Sequence, residues 1–341
     1  MNCSDSLSLI ICTYKRPVQI ASLLRALGDQ TRPPDEILIV DGSPDAETER
    51  AVRNFQENKT GHHIEYYSVP PEHRGLTRQR NFGIERAKCN IVAFLDDDTT
   101  PEAGYFGEVR ACFERHPEAV GVGGYITNEV QWWKANGKSQ SPLSVFRLGE
   151  WERREDYRWR LRRALGLTSS LPPGWMPPFG HGRSTGFLPP DNRDYQVEFL
   201  LGGASAWRRD LFARHQFSLF FAGYGLYEDM DFCIRAAGDG PLFVSTRARL
   251  AHCHAESGRP NYFRYGEMVV RNGWYVWRRR WPNPKVRDRV RWWWVTILLA
   301  LCRLADIRGA SKFGGAKEAL GRVYGATRLF WRNPITERDE R

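Results

Sequence analysis

The stretch AFLDDDTTPE, residues 93–102, closes an apolar run with Asp96, Asp97 and Asp98 in succession. Three adjacent carboxylates repel one another, unless a divalent cation joins them. Mg²⁺ or Mn²⁺ takes hard oxygen ligands and often shares them with substrate phosphates. The plainer alternative is a solvated acidic loop that favours the start of the following helix. A second carboxylate pair, Glu228 and Asp229 in YEDMDFCIRA, opens a helical pattern. There it can supply a general base or only favour its helix end. In GLTRQRNFGI, Arg78 and Arg80 lie near the start of a helix entered through Gly75, where guanidinium forks and a positive helix end together suit an anionic diphosphate. LGGASAWRRD places Gly202 and Gly203 after an apolar run, which suits close approach of backbone to a ligand. ARLAHCHAESGR alternates, so His252 and His254 share one face of a strand.

These groups need a scaffold. The first 130 residues alternate short apolar runs (LSLIIC, EILIV, HIEYYSV, IVAFL, VGVGGYI) with helical patterns, the signature of βαβ units and a mainly parallel sheet. The helices expected between them are PVQIASLLRAL, from Pro17 to Gly28, then DAETERAVRNFQEN, GLTRQRNFGIERA, and PEAGYFGEVRACFERH opened by Pro101. In open α/β sheets ligands bind beyond the carboxyl ends of the strands. Thr13, Asp41 and the Asp96 to Asp98 cluster all fall at such ends. Residues 131–195 are rich first in Trp and Arg, then in Pro and Gly, and the second stretch is expected to be a long loop. Ordered elements resume at VEFLLGGASAWRRDLF, YEDMDFCIRAAG, PLFVS and RARLAHCH, and the chain is helical and basic from Tyr262. Three segments follow: 1–130, where strands and helices alternate; 131–260, the Trp-, Arg-, Pro- and Gly-rich insertion with the ordered elements that resume after it; and 261–341, a basic helical region.

Charge is uneven. From Arg264 to Arg341 there are 18 Lys and Arg against 7 Asp and Glu, so the chain's net +10 belongs to this tail. The tail also holds an uncharged apolar run from Trp292 to Cys302, 11 residues long, whereas a spanning helix needs roughly 20. Trp prefers the bilayer interface and flanking arginines reach anionic headgroups. Peripheral contact with an anionic membrane surface is therefore expected, with packing as a helical hairpin or a homo-oligomer contact as the alternative. Nothing accompanies the charge that marks a nucleic-acid binder. Seven scattered cysteines without a CxxC pair argue against a disulfide framework or structural zinc. LSLIIC is preceded by no basic segment and is expected to be a strand and not a signal peptide. Together these point to a cytoplasmic protein at the inner face of a membrane. No GxGxxG follows the first strand and no GxxxxGK[ST] occurs, which removes dehydrogenase and P-loop readings.

Taken in order, SLIICTYKRP, ILIVDGSP, GLTRQRNFGI, FLDDDT and GGASAWRRD followed by YEDMDF resemble the motifs of the family 2 glycosyltransferases, inverting enzymes of the GT-A fold, over about residues 6–235. The resemblance implies a Rossmann-like nucleotide-binding sheet with an acceptor-side subdomain, and Mn²⁺- or Mg²⁺-dependent transfer of a sugar from a nucleotide-diphosphate donor to a hydroxyl of a glycan or lipid-linked acceptor. It implies that Thr13, Tyr14 and Arg16 surround base and ribose, that Asp41 meets the base, and that Arg80 lies near the diphosphate. Asp96 and Asp98 fill the DxD positions, one toward the ribose and one, Asp98, on the metal, and Asp97 is counted with Asp96 among the residues that bind the nucleotide sugar. Gly202 and Gly203 meet the sugars, Asp229 is the base and Glu228 supports the acceptor or the site geometry. His252 or His254 completes the metal site. Processive relatives carry QxxRW after the acidic pair; here WRRRW, 277–281, has Trp277 in place of the glutamine, which favours single addition. A nucleotidyltransferase lacks support because CTYKRP is not glycine-rich, and a non-catalytic binding protein would not need both carboxylate pairs.

Overall fold

A computed structural model describes residues 5–58, 63–135, 144–253, 261–305, 312–332 and 334. The chain groups into two compact units, 1–130 with 185–258 and 131–184 with 259–341.

The first unit is built on one sheet whose strands, numbered in chain order, are β1 (Leu7–Thr13), β2 (Glu36–Asp41), β3 (Ile64–Ser68), β4 (Ile91–Asp96), β5 (Thr99–Pro101), β6 (Gly121–Ile126), β10 (Asp194–Val197), β11 (Ala204–Arg208) and β12 (Leu242–His252). Their order is β10-β12-β6-β11-β4-β1-β2-β3, with β5 paired to the end of β12. β1, β2, β3 and β4 pair in parallel. β1, β2 and β4 read as near-continuous apolar runs because helices cover both faces, whereas β3, at the edge, is only partly buried. Helix α1 (Pro17–Gly28) takes Pro17 in its first turn and buries Ile20, Leu23, Leu24 and Leu27, the i, i+3, i+4, i+7 stripe that faces a core. α2 (Glu47–Asn58), α3 (Leu76–Ile84), α4 (Tyr105–Arg115) and α6 (Glu228–Ala236) complete the unit.

Three elements differ from expectation. α4 begins at Tyr105, not at Pro101, because Thr99 to Pro101 are extended and pair with Leu250 to His252. The two glycines stand in a turn between β10 and β11, directly before β11, and not at the end of a strand formed by the apolar run VEFLL. PLFVS and RARLAHCH form one strand, β12, whose pairing with β6 shifts register between Val244 and Arg249.

Two pairings position the site. β11 runs antiparallel to β4 with Ala204 opposite Leu95, which brings Gly202 and Gly203 to the carboxyl end of β4. The β5 to β12 pairing sets His252 opposite Thr99, next to the acidic triplet.

In the second unit β7 (Trp132–Lys134), β8 (Val145–Leu148) and β9 (Trp151–Arg154) form a small antiparallel sheet ordered β7-β9-β8. Helices α5 (Tyr157–Ala164), α7 (Tyr262–Arg280), α8 (Val286–Ala305) and α9 (Lys312–Trp331) make up the rest of its regular structure among the described residues. The loop expected after α5 is largely irregular, with a single 3₁₀ turn at Thr185–Phe187 in the first unit. α7 and α9 meet through glycine: a Cβ on Gly266 would lie 2.0 Å from the Glu318 carbonyl oxygen, and one on Gly321 1.9 Å from that of Phe263. Trp277 and Trp292 stack in the core beside Trp274, and the Trp277 indole N–H donates to the Pro178 carbonyl at 2.9 Å.

Candidate active site

All described site residues belong to the first unit. The acidic triplet divides. Asp97 turns inward, 4% exposed, and accepts from the Thr13 hydroxyl at 2.7 Å and from the Arg16 guanidinium at 2.7 Å. Burial pushes its carboxyl up to about 6, against the pull of Arg16. Asp96 and Asp98 remain partly open, and the His252 ring Nε2 lies 3.0 Å from an Asp98 oxygen. One donor atom from each of Asp96, Asp98 and His252 can be chosen so that all lie within 4.8 Å of one another. Two carboxylates and an imidazole fit Mn²⁺ or Mg²⁺. The Asp98 carboxylate holds His252 toward its protonated form, above the ordinary histidine value. His254 lies outside the described residues.

Asp41 is completely buried: the Ser43 amide donates to it at 2.8 Å, the Ser43 hydroxyl at 2.5 Å and the Tyr66 hydroxyl at 2.7 Å. The position that the resemblance gives to a base contact is thus occupied by groups of the chain itself. Tyr14, in contrast, is exposed at the end of β1. Sequence reasoning missed Gln79, whose amide N–H₂ bridges the Thr13 carbonyl at 3.0 Å and the Val40 carbonyl at 2.8 Å, and so joins the carboxyl ends of β1 and β2. A buried amide one residue before Arg80 was its only signal.

Arg80 is 2% exposed. α3 reaches it from Gly75, whose φ of +108° and close approach to the Gly223 amide exclude a side chain. Its guanidinium ion-pairs with Glu228, lies 3.7 Å from Asp96, and sits over the rings of Phe94 and Phe217. Burial raises the Glu228 carboxyl, and Arg80 opposes that rise. Asp229 stands beside this pair at the start of α6. Its carboxylate accepts from the Gly202 amide at 3.2 Å and the Met230 amide at 2.8 Å. Burial raises this carboxyl too, while those two amides pull it down. Gly202 and Gly203 thread between the carboxylates: a Cβ on Gly202 would fall 2.7 Å from a Glu228 oxygen, and one on Gly203 2.1 Å from an Asp96 oxygen. Metal-side and helix-side carboxylates are thus packed around one glycine pair, an arrangement that can hold a diphosphate and take a proton in the same place.

Comparison with known proteins agrees with this fold. A solved mannosyltransferase from Pyrobaculum calidifontis, in complex with GDP-Man and Mn²⁺, superposes with a TM-score of 0.54 at 15% identity, covering 97% of this chain and 82% of that one. Among curated proteins, a glucosyl-dolichyl phosphate glucuronosyltransferase of Haloferax volcanii is 28% identical over 121 residues, 35% of this chain and 37% of that protein. A GalNAc(5)-diNAcBac-PP-undecaprenol beta-1,3-glucosyltransferase of Campylobacter jejuni is 29% identical over 92 residues, 27% of this chain and 29% of that protein. The chain thus spans about a third of the length of these relatives. The model of glycosyl transferase family 2 matches residues 8–179, and with the GT-A-like sheet and its carboxylates in place, the chain belongs to glycosyl transferase family 2.

Proposed function

We propose that the protein transfers one sugar, with inversion, from a nucleotide-diphosphate donor to a hydroxyl of a lipid-linked glycan at the inner face of an anionic membrane. The observation that carries this reading is the placement of Asp229, fixed through the Gly202 amide, beside the cluster of Asp96, Asp98 and His252.

Asp98 and His252, with Asp96, would hold the metal. When bound, a divalent cation neutralises charge on the departing diphosphate. Thr13 and Arg16 hold Asp97 out of the way and keep the triplet's backbone in register; Arg16 also reaches Asp98 at 3.5 Å. Tyr14 offers an exposed ring to the base. Asp229 takes the proton of the acceptor hydroxyl as that oxygen bonds to the anomeric carbon and the bond from carbon to the diphosphate oxygen breaks. Two amide donors fix the plane of its carboxylate, so its remaining lone pairs face the acceptor. Glu228, tied to Arg80, is a positioning residue and not a second base. The Haloferax glucosyl-dolichyl phosphate glucuronosyltransferase and the Campylobacter undecaprenol-linked glucosyltransferase, as similar proteins, favour a lipid-linked acceptor here. Single addition is favoured by Trp277, which occupies the core of the second unit where a processive enzyme would carry glutamine.

A panel of nucleotide-diphosphate sugars tested for thermal stabilisation with and without Mn²⁺ checks the reading. A bound donor raises Tm with its concentration. One sugar nucleotide is expected to do so only when metal is present; stabilisation by none of them would contradict the proposal.

A further inference from the structure

The second unit turns an apolar face outward. Along α8 the exposed large apolar side chains are Val286, Val290, Trp294, Ile297, Leu301 and Leu304, a run of i+3 and i+4 steps that places all six on one side of the helix. Trp292 is buried behind them, so the three consecutive tryptophans divide between core and surface. Arg291 donates to the Gly166 carbonyl at 2.7 Å and Tyr157 to the Cys302 carbonyl at 3.0 Å, which lays α5 along one flank of α8. Trp293 stacks on Phe330 and Arg303 pairs with Glu318 at 3.0 Å, which lays α9 along the other. Both flanking helices also expose apolar residues: Tyr157, Leu161 and Leu165 on or just after α5, and Leu320, Val323 and Trp331 on α9.

We infer that this three-helix face lies on an anionic lipid bilayer with its apolar side chains inserted at the interface. Two observations choose lipid over a second copy of the chain. Among the described side chains within the three helices the exposed ionic groups are Arg160, Arg287, Arg289 and Lys317, while Asp288 and Glu318 are buried and a single exposed carboxylate, Asp156, caps α5, so the face is predominantly cationic. A two-fold contact between copies would set arginine against arginine, whereas each cation near an anionic leaflet is favourable. Second, α7 and α9 cross backbone to backbone through Gly266, Gly321 and Gly325, so glycine lines the inner side of α9 and apolar groups its outer side. The backbone contact fixes which side of α9 packs inward and leaves its apolar groups at the surface, the side that an in-plane helix buries in the interface. No described helix is long and apolar enough to cross a membrane. The face therefore lies in the plane of the interface. This inference deepens the lipid-linked reading of the acceptor and names the surface on which the enzyme meets it.

The test is co-sedimentation of the full chain with vesicles of phosphatidylcholine alone or with one third phosphatidylglycerol. Binding is expected only to the anionic vesicles and is expected to fall with salt. Trp294→Glu with Leu301→Glu, both at exposed positions, should weaken it by about tenfold or more. Arg160→Gln and Arg287→Gln should each weaken it by about fivefold. Equal binding by the Glu variant would overturn the inference. So would a wild-type dimer that the same substitutions dissociate, since the face would then belong to a second copy. Mn²⁺-dependent donor hydrolysis without vesicles separates the two readings: vesicle binding without hydrolysis contradicts the enzymatic proposal alone, and hydrolysis without vesicle binding contradicts the membrane face alone.

Discussion

The guanidinium of Arg80 ion-pairs with Glu228 and lies 3.7 Å from Asp96, so one buried cation joins a residue of the acidic triplet to the residue before the proposed base. Removing it leaves Glu228 buried without its partner. Arg80→Met is expected to cost about 3–5 kcal/mol of stability, and Arg80→Lys less, because an ammonium keeps the positive charge beside Glu228 although it cannot fork to two carboxylates. Urea titration checks this. A midpoint unchanged in Arg80→Met would mean that the pair contributes nothing.

Gly203 has no room for a methyl group: its Cβ would fall 2.1 Å from the Asp96 carboxylate. Gly203→Ala should therefore displace Asp96 and reduce metal-dependent turnover by about 100-fold, a loss of the size that follows misplaced reacting groups. The circular dichroism spectrum should stay that of a folded protein. Full activity in this variant would show that Asp96 is not needed where it stands.

Asp98 and His252 share the candidate metal cluster, and His252 also contacts Asp98 directly at 3.0 Å. Asp98→Ala is expected to abolish transfer and weaken binding of the nucleotide diphosphate, since the cation loses a hard oxygen ligand. EDTA should have the same effect on the parent protein. Undiminished turnover in EDTA would rule the metal out.

His181, in the second unit, is packed against Trp292 with its ring near the Thr296 hydroxyl. Burial, helped by Arg162, holds it well below the ordinary histidine value. The unfolded chain therefore takes up a proton near pH 6.5 that the folded one refuses. Its contribution is fully present above about pH 6.5 and is lost as pH falls toward the folded value. His181→Asn, which tolerates the left-handed φ of 54°, should flatten the fall in Tm below that pH. Identical pH profiles for the two proteins would remove His181 as the cause.

The strands and most helices of the first unit are legible in the sequence because their signals are local: apolar runs at β1, β2 and β4, Pro17 at the head of α1, and carboxylates in the first turn of α6. What is not legible depends on contacts between distant segments. Nothing near Asp98 in the chain says that His252 will meet it; that follows from Thr99 to Pro101 staying extended to pair with β12. The same pairing moves the start of α4. The inward turn of Asp97 needs Thr13 and Arg16, and the burial of Arg80 needs Glu228, 148 residues away. Nor does any local pattern show that residues 131–184 pack with 259–341.

The central claim is that Asp229 takes the acceptor's proton, and Asp229→Asn measured for donor affinity and turnover together tests it most directly. The substitution keeps an acceptor oxygen for one amide and removes the basic site. Donor Kd should stay nearly unchanged while kcat falls by about 100-fold or more. In the parent, kcat should rise with pH through a midpoint above the ordinary aspartate value of about 3.9, because burial raises this carboxyl and only its ionised form accepts a proton. Equal losses in donor affinity and kcat, or a kcat that survives the substitution, would contradict the account.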